Sequence, residues 1–157
     1  MKRIVLFSIM LVLLVGTAMP ACSDATVTFP DLSLDTAIRD TINKPEGPIL
    51  ISDLKSLTML KIQEIGISDL TGLEHCINLQ YLELWYNNIS DLSPLAGLTN
   101  LDYLFLTSNN ISDLSPLAGN IGLLEGDNVD LRDNPLSTMS LNIYVPQLEQ
   151  RGVNVIH

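Results

Sequence analysis

The sequence predicts an α/β solenoid, a curved parallel β-sheet with short 3₁₀ turns on its convex side and a helical cap at each end. Three observations predict it. A 22-residue unit recurs from Leu57 onward. Each unit holds a short alternation of apolar and polar residues, the mark of a strand with one buried and one wet face. The segments flanking the repeats carry apolar residues at helical spacing instead.

The first copy places Leu57, Leu60, Ile62, Ile65, Ile67, Leu70 and Leu73 in a fixed phase. The second repeats it with Leu79, Leu82, Leu84, Asn87, Ile89, Leu92, Leu95 and Leu98. A third runs from Leu101 through Leu104, Leu106, Asn109, Ile111, Leu114 and Leu117. The fourth, with Val129, Leu131, Asn134 and Leu136, follows after 25 residues, so three residues are inserted around Glu125 to Asn128. All read L-x-x-L-x-L-x-x-N-x-I-x-D-L-x-x-L. In the return segments Asp91 to Leu95 and Asp113 to Leu117, an aspartate that can cap and an early proline favour one tight 3₁₀ turn. Asn87, Asn109 and Asn134 fall in the bend after each strand, where an amide can satisfy backbone groups of neighbouring coils. Ile65 holds that place in the first copy, so the asparagine ladder starts one coil late.

This wording resembles the 22-residue repeats of bacterial internalin-like leucine-rich-repeat proteins. The resemblance implies a leucine-rich-repeat solenoid, and it is specific for fold rather than for function, because the repeat is a scaffold.

The ends read as caps over the first and last coils. Leu34, Ala37, Ile38 and Ile42 predict a helix over residues 31–43, and Ile49 and Ile51 an imperfect first strand ahead of Ser52, Asp53 and Leu54. Beyond the repeats, Leu141, Val145 and Leu148 would line one face of a helix begun near Ser137, with a possible kink at Pro146. Gly152 would stop it before a last strand containing Val153 and Val155. The expected repeat domain is therefore 31–157, with an N-terminal cap (31–56), repeats (57–136) and a C-terminal cap (137–157).

Residues 1–21 read differently. Lys2 and Arg3 precede an apolar run from Ile4 to Val15 and a small-residue stretch, the order of a secretory signal peptide. Met19, Pro20, Ala21 and Cys22 look like a bacterial lipobox with Cys22 as the lipidated residue, although a lipobox usually has leucine in the place of Met19 and Pro20 is uncommon there. Cleavage after Ala18 or Ala21 and an uncleaved anchor are the alternatives. An anchor fits least, since the run is shorter than the ~20 residues that span a bilayer. Each route puts the domain outside the cytoplasm, joined to its leader by a short linker (22–30).

Without its leader the chain carries six Lys and Arg against 18 Asp and Glu, a net charge of −12. That makes nucleic acid a poor partner and leaves proteins, peptides, glycans or cations. Catalysis needs converging groups, and His75, His157 and Cys76 form no motif. Cys76 falls at the inward phase of Leu98 and reads as a small core residue. Asp127, Asp130 and Asp133 do not share a cation-binding spacing. No cofactor and no metal are expected.

Phase alone lists the open face of the sheet: Met59, Lys61 and Gln63; Tyr81, Glu83 and Trp85; Tyr103, Phe105 and Thr107; Asn128, Asp130 and Arg132; Gly152, Asn154 and Ile156. Five of the chain's eight aromatics, Tyr81, Trp85, Tyr86, Tyr103 and Phe105, lie on or beside two adjacent strands. With Tyr81 beside Tyr103 and Glu83 beside Phe105, they form one patch rimmed by Lys61, Glu83, Asp130 and Arg132. Aromatics framed by charge have the composition of a protein-binding hot spot or a sugar-stacking platform. The expected function is a non-catalytic extracytoplasmic binding module, monomeric, recognising a protein or peptide. A structural envelope component and a glycan-binding adhesin are the alternatives.

Overall fold

The structure is a computed structural model that describes residues 24–157; the expected signal peptide and Cys22 lie outside the described residues. It opens with β1 (Thr26–Val27), α1 (Leu32–Thr41), β2 (Ile49–Leu50) and α2 (Ile51–Leu54). Asp31 caps α1, one carboxylate oxygen accepting the Ser33 and Leu34 N–H groups at 3.0 and 3.1 Å. Its other oxygen accepts the Ser68 N–H at 2.8 Å, so the same side chain ties the cap to the first repeat. Burial pushes this carboxyl up, but the N–H groups of Ser68, Leu34, Asp69 and Ser33 outweigh it and hold it below its ordinary value. Leu34 and Ile38 on one face of α1 are fully buried against the first coil.

Five parallel strands follow in sequence order: β3 (Met59–Lys61), β4 (Tyr81–Glu83), β5 (Tyr103–Phe105), β6 (Asn128–Asp130) and β7 (Asn154–Ile156). Tyr81 pairs with Tyr103 and Glu83 with Phe105, the predicted register. The three inserted residues are taken up before β6, where Gly126 turns with a φ of +96°, and Tyr103 still faces Asn128. Two return segments are 3₁₀ turns, Leu73–His75 and Ser93–Leu95. The third, α3 (Ser115–Gly119), closes as a short α-helix with Ala118 N–H donating to the Leu114 carbonyl at 2.9 Å.

Leu82, Leu84, Leu92, Leu95, Leu104, Leu106, Leu114 and Leu117 all point into one continuous core, at most 1% exposed. Cys76 joins them, its thiol pushed up to about 12 by burial and by the charge of Glu74. Asn87, Asn109 and Asn134 form the expected ladder. The Asn109 amide donates to the carbonyls of Leu84 and Leu106, each at 3.0 Å, and its oxygen accepts the Ile89 N–H at 3.1 Å. Asn87 and Asn134 repeat the pattern one coil before and after, and Ile65, without an amide to offer, stays exposed.

Several expectations at the ends are corrected. From Asp24 on, the segment read as a linker is packed. Thr26–Val27 pairs antiparallel with Ile49–Leu50, and Phe29 is buried over Gly72, where a Cβ would sit 2.6 Å from its ring. Ile49 and Ile51 do not start the solenoid sheet: Ile51 begins α2, and Asp53 locks that turn by accepting the Leu50 N–H and the Lys44 ammonium. The C-terminal helix is not regular. Residues Ser140–Tyr144 widen to a π-turn ahead of α4 (Val145–Gln150), because Pro146 has no N–H for a normal helical bond. The extra residue rotates Leu141 outward and puts Ser140 in the core, where its hydroxyl donates to Ser112 O and accepts Leu114 N–H. Arg151 then covers the last coil by donating to the carbonyls of Asn120 and Ala118 at 2.8 and 2.9 Å.

Candidate functional site

The alternation that buries Leu82, Leu84, Leu104 and Leu106 turns Tyr81, Glu83, Tyr103 and Phe105 to the concave side. Strand pairing then brings their rings together. Tyr81 lies 5.8 Å from Tyr103 and 5.5 Å from Phe105 between ring centroids, both tilted. Trp85, just past β4, lies 5.6 Å from Tyr86. Tyr86 holds the left-handed backbone at a φ of +55°, as do Glu64, Ser108 and Asp133 at the same point of the other coils. This bend precedes each ladder position and leaves the Tyr86 ring about half exposed at the open face.

Around these rings is an open hollow of about 420 Å³, lined by Tyr81, Glu83, Trp85, Tyr86 and Phe105 on one side and by Thr107, Asp130, Arg132 and Asp133 on the other. Seven of the sequence-predicted residues therefore meet. Tyr103 and Lys61 stand beside the hollow instead: Tyr103 packs on Tyr81, and the Lys61 ammonium sits 4.9 Å above the Tyr81 ring centroid.

Two of the predicted rim charges are not at the rim. Glu83 is central, its side chain 13% exposed. It accepts the Trp85 indole N–H at 2.5 Å, the Gln63 amide at 2.6 Å and the Tyr81 hydroxyl at 3.1 Å, with Lys61 Nζ 3.6 Å away. The carboxylate thus fixes the orientation of two rings of the patch. Burial pushes the Tyr81 phenol up, and Glu83 adds to the shift. Asp130 is 4% exposed, because β6 is an interior strand with Phe105 and Ile156 as its neighbours and Arg132 folds back over it. The guanidinium meets it at 2.6 to 3.1 Å through Nε and Nη2. Burial pushes the Asp130 carboxyl up, but Arg132 and the Thr107 hydroxyl outweigh it and hold it below its ordinary value.

The sequence reading overlooked Gln63, Thr107 and Asp133 as parts of this site. Gln63 and Thr107 were legible as open-face positions but carry neither ring nor charge. Asp133 could have been found from its phase, since it repeats the position of Tyr86 one coil beyond Ser108. Asp127, by contrast, is used locally, accepting the Leu124 N–H at 2.7 Å.

Residues 77–119 match the family model of leucine-rich repeats in two copies. Among solved structures, an internalin (inlF) from Listeria monocytogenes is similar over 82% of this chain and 38% of its own, at 29% identity and a TM-score of 0.68. The functional domain of InlJ from the same organism is similar over 70% of this chain and 26% of its own, with 30% identity and a TM-score of 0.55. A structure of the CBM51-2 domain in complex with GlcNAc and the INT domains of Clostridium perfringens ZmpB shares 38% identity over 57% of this chain and 19% of its own, at a TM-score of 0.52. The chain spans well under half the length of each. No curated protein matches it. In repeat, sheet and turn, the chain is an internalin-like leucine-rich-repeat protein.

Proposed function

We propose that this protein is a non-catalytic module that binds a protein or peptide through the concave hollow around Tyr81, Trp85 and Phe105. One observation carries the reading: rings that could have packed in the core stand instead on the open face, with Tyr81 and Trp85 pre-oriented by the Glu83 carboxylate and Phe105 packed on Tyr81. Rigid aromatic anchors held before a partner arrives lose little entropy on binding, which is how hot spots concentrate affinity. The internalin-like scaffold supports the same reading, being a repeat array whose open sheet face is available to a partner. The buried, high-pKa Cys76 offers no nucleophile, which favours binding over catalysis.

A Trp85→Ala/Phe105→Ala double variant tests it. The variant is expected to keep its melting transition and lose the partners that the wild-type chain captures from surface-protein extracts. Equal capture by both proteins would instead favour a purely structural role.

The location is part of the proposal: residues 1–21 act as a signal peptide and Cys22 carries a lipid that holds the module on the outer side of a bacterial membrane. The basic start, apolar run and Ala21-Cys22 junction support it. No helix among the described residues is long and apolar enough to cross a membrane. Mass spectrometry of the mature N-terminus is expected to show a diacylglycerol adduct on Cys22, and Cys22→Ser to release the domain from the membrane fraction. An unmodified Cys22 in the membrane-bound protein would reject the anchor.

A further inference from the structure

We infer that the hollow receives a lysine or arginine side chain of an extended peptide, an inference that rests on the binding role proposed above. Its lining combines four aromatic rings with three carboxylates, Glu83, Asp130 and Asp133, against one cation, Arg132. That cation is already engaged, its guanidinium held on both Asp130 oxygens. Glu83 is shared among the neutral donors Trp85, Gln63 and Tyr81, with Lys61 at 3.6 Å. Asp133 remains, at an exposed turn, with only the Ser108 hydroxyl within reach at 3.5 Å. Set against one another, these charges leave the hollow acidic.

The rings add to this preference, because an aromatic face attracts a cation through its quadrupole. The protein makes one such contact on the same sheet: Lys61 sits over the Tyr81 ring while approaching Glu83, the geometry a partner's basic residue would repeat over Trp85, Tyr86 or Phe105. At longer range the described residues hold six basic against 18 acidic groups, so an acidic peptide is repelled and a basic one drawn in. The volume of about 420 Å³ lies at the low end of ligand pockets, ~300–1,000 Å³, which suits one or two side chains. The open trough on either side, where Met59 and Ile156 are exposed, leaves room for the backbone of an extended segment.

The test is selection of a random peptide library on the immobilised chain, in salt above physiological strength to suppress diffuse charge attraction. Counter-selection uses the Trp85→Ala/Phe105→Ala variant. Enriched peptides that depend on the hollow are expected to share a lysine or arginine. Replacing that residue by norleucine or citrulline should weaken binding ~5–30-fold. Asp133→Asn should weaken the basic peptides and leave their neutral analogues unchanged. Hollow-dependent peptides that lack a basic residue, or that tolerate citrulline, would overturn the inference while leaving the binding role standing. Enrichment that the double variant matches would overturn both. The peptide substitutions leave the protein untouched, so the result does not hang on how a variant folds.

Discussion

Asn109→Ala is expected to destabilise the protein by ~2–3 kcal/mol, since a buried polar group left unpaired costs ~1–3 kcal/mol and each further hydrogen bond lost adds to it. The single amide serves four backbone groups at once: the carbonyls of Leu84, Leu106 and Thr107 and the N–H of Ile89. Removing it leaves the Ile89 N–H without a partner at the bend between coils, where the leucine core leaves little access for water, while the Leu84 and Leu106 carbonyls keep the amides of Asn87 and Asn134. Asn134→Ala is the internal comparison. It loses equivalent bonds but lies only partly buried near the end of the array, so water can replace them and the loss should be about half as large. Urea denaturation checks both. A cost for Asn109→Ala below ~1 kcal/mol would show that the ladder is decoration on a sheet held by its leucines alone.

Leu84→Ala is expected to cost ~2–5 kcal/mol, the range for emptying a fully buried site. Trp85→Ala should cost only ~1 kcal/mol, although the side chain removed is larger. Leu84 is fully buried among the leucines of adjacent coils, whereas Trp85 is half-buried on the open face. Its loss gives up the bond to Glu83 and the contact with Tyr86. The order of the two melting temperatures is the observable. Should Trp85→Ala melt as early as Leu84→Ala, the indole would be a stabilising element of the sheet and the case for a free binding surface would fail.

How much of this was legible before the structure differs by element. The register of β4 on β5 follows from a constant period, because equal spacing leaves no other way to stack Leu82 on Leu104. The asparagine ladder, with Ile65 left out of it, is legible for the same reason. Depth is not legible. Phase says that Asp130 leaves the open side of β6, but its burial depends on Arg132, two residues on, folding back across it. Phase likewise says nothing of Glu83 collecting donors from Gln63 and Trp85, since that turns on rotamers and sheet curvature. Short elements were the hardest. A two-residue strand such as Thr26–Val27 has no period to detect, and the burial of Phe29 follows from the bare Cα of Gly72, 43 residues away. The π-turn could be suspected from Pro146 but not placed.

The central claim is that the concave hollow, and not the convex surface, is where this protein meets its partner. Photo-crosslinking addresses it most directly, with benzoylphenylalanine placed at Phe105 inside the hollow and, in a second protein, at the exposed convex residue Ser93. The account predicts a discrete adduct from position 105, suppressed by excess unmodified chain, and none from position 93. Adducts from position 93 alone, or equally from both, would contradict it.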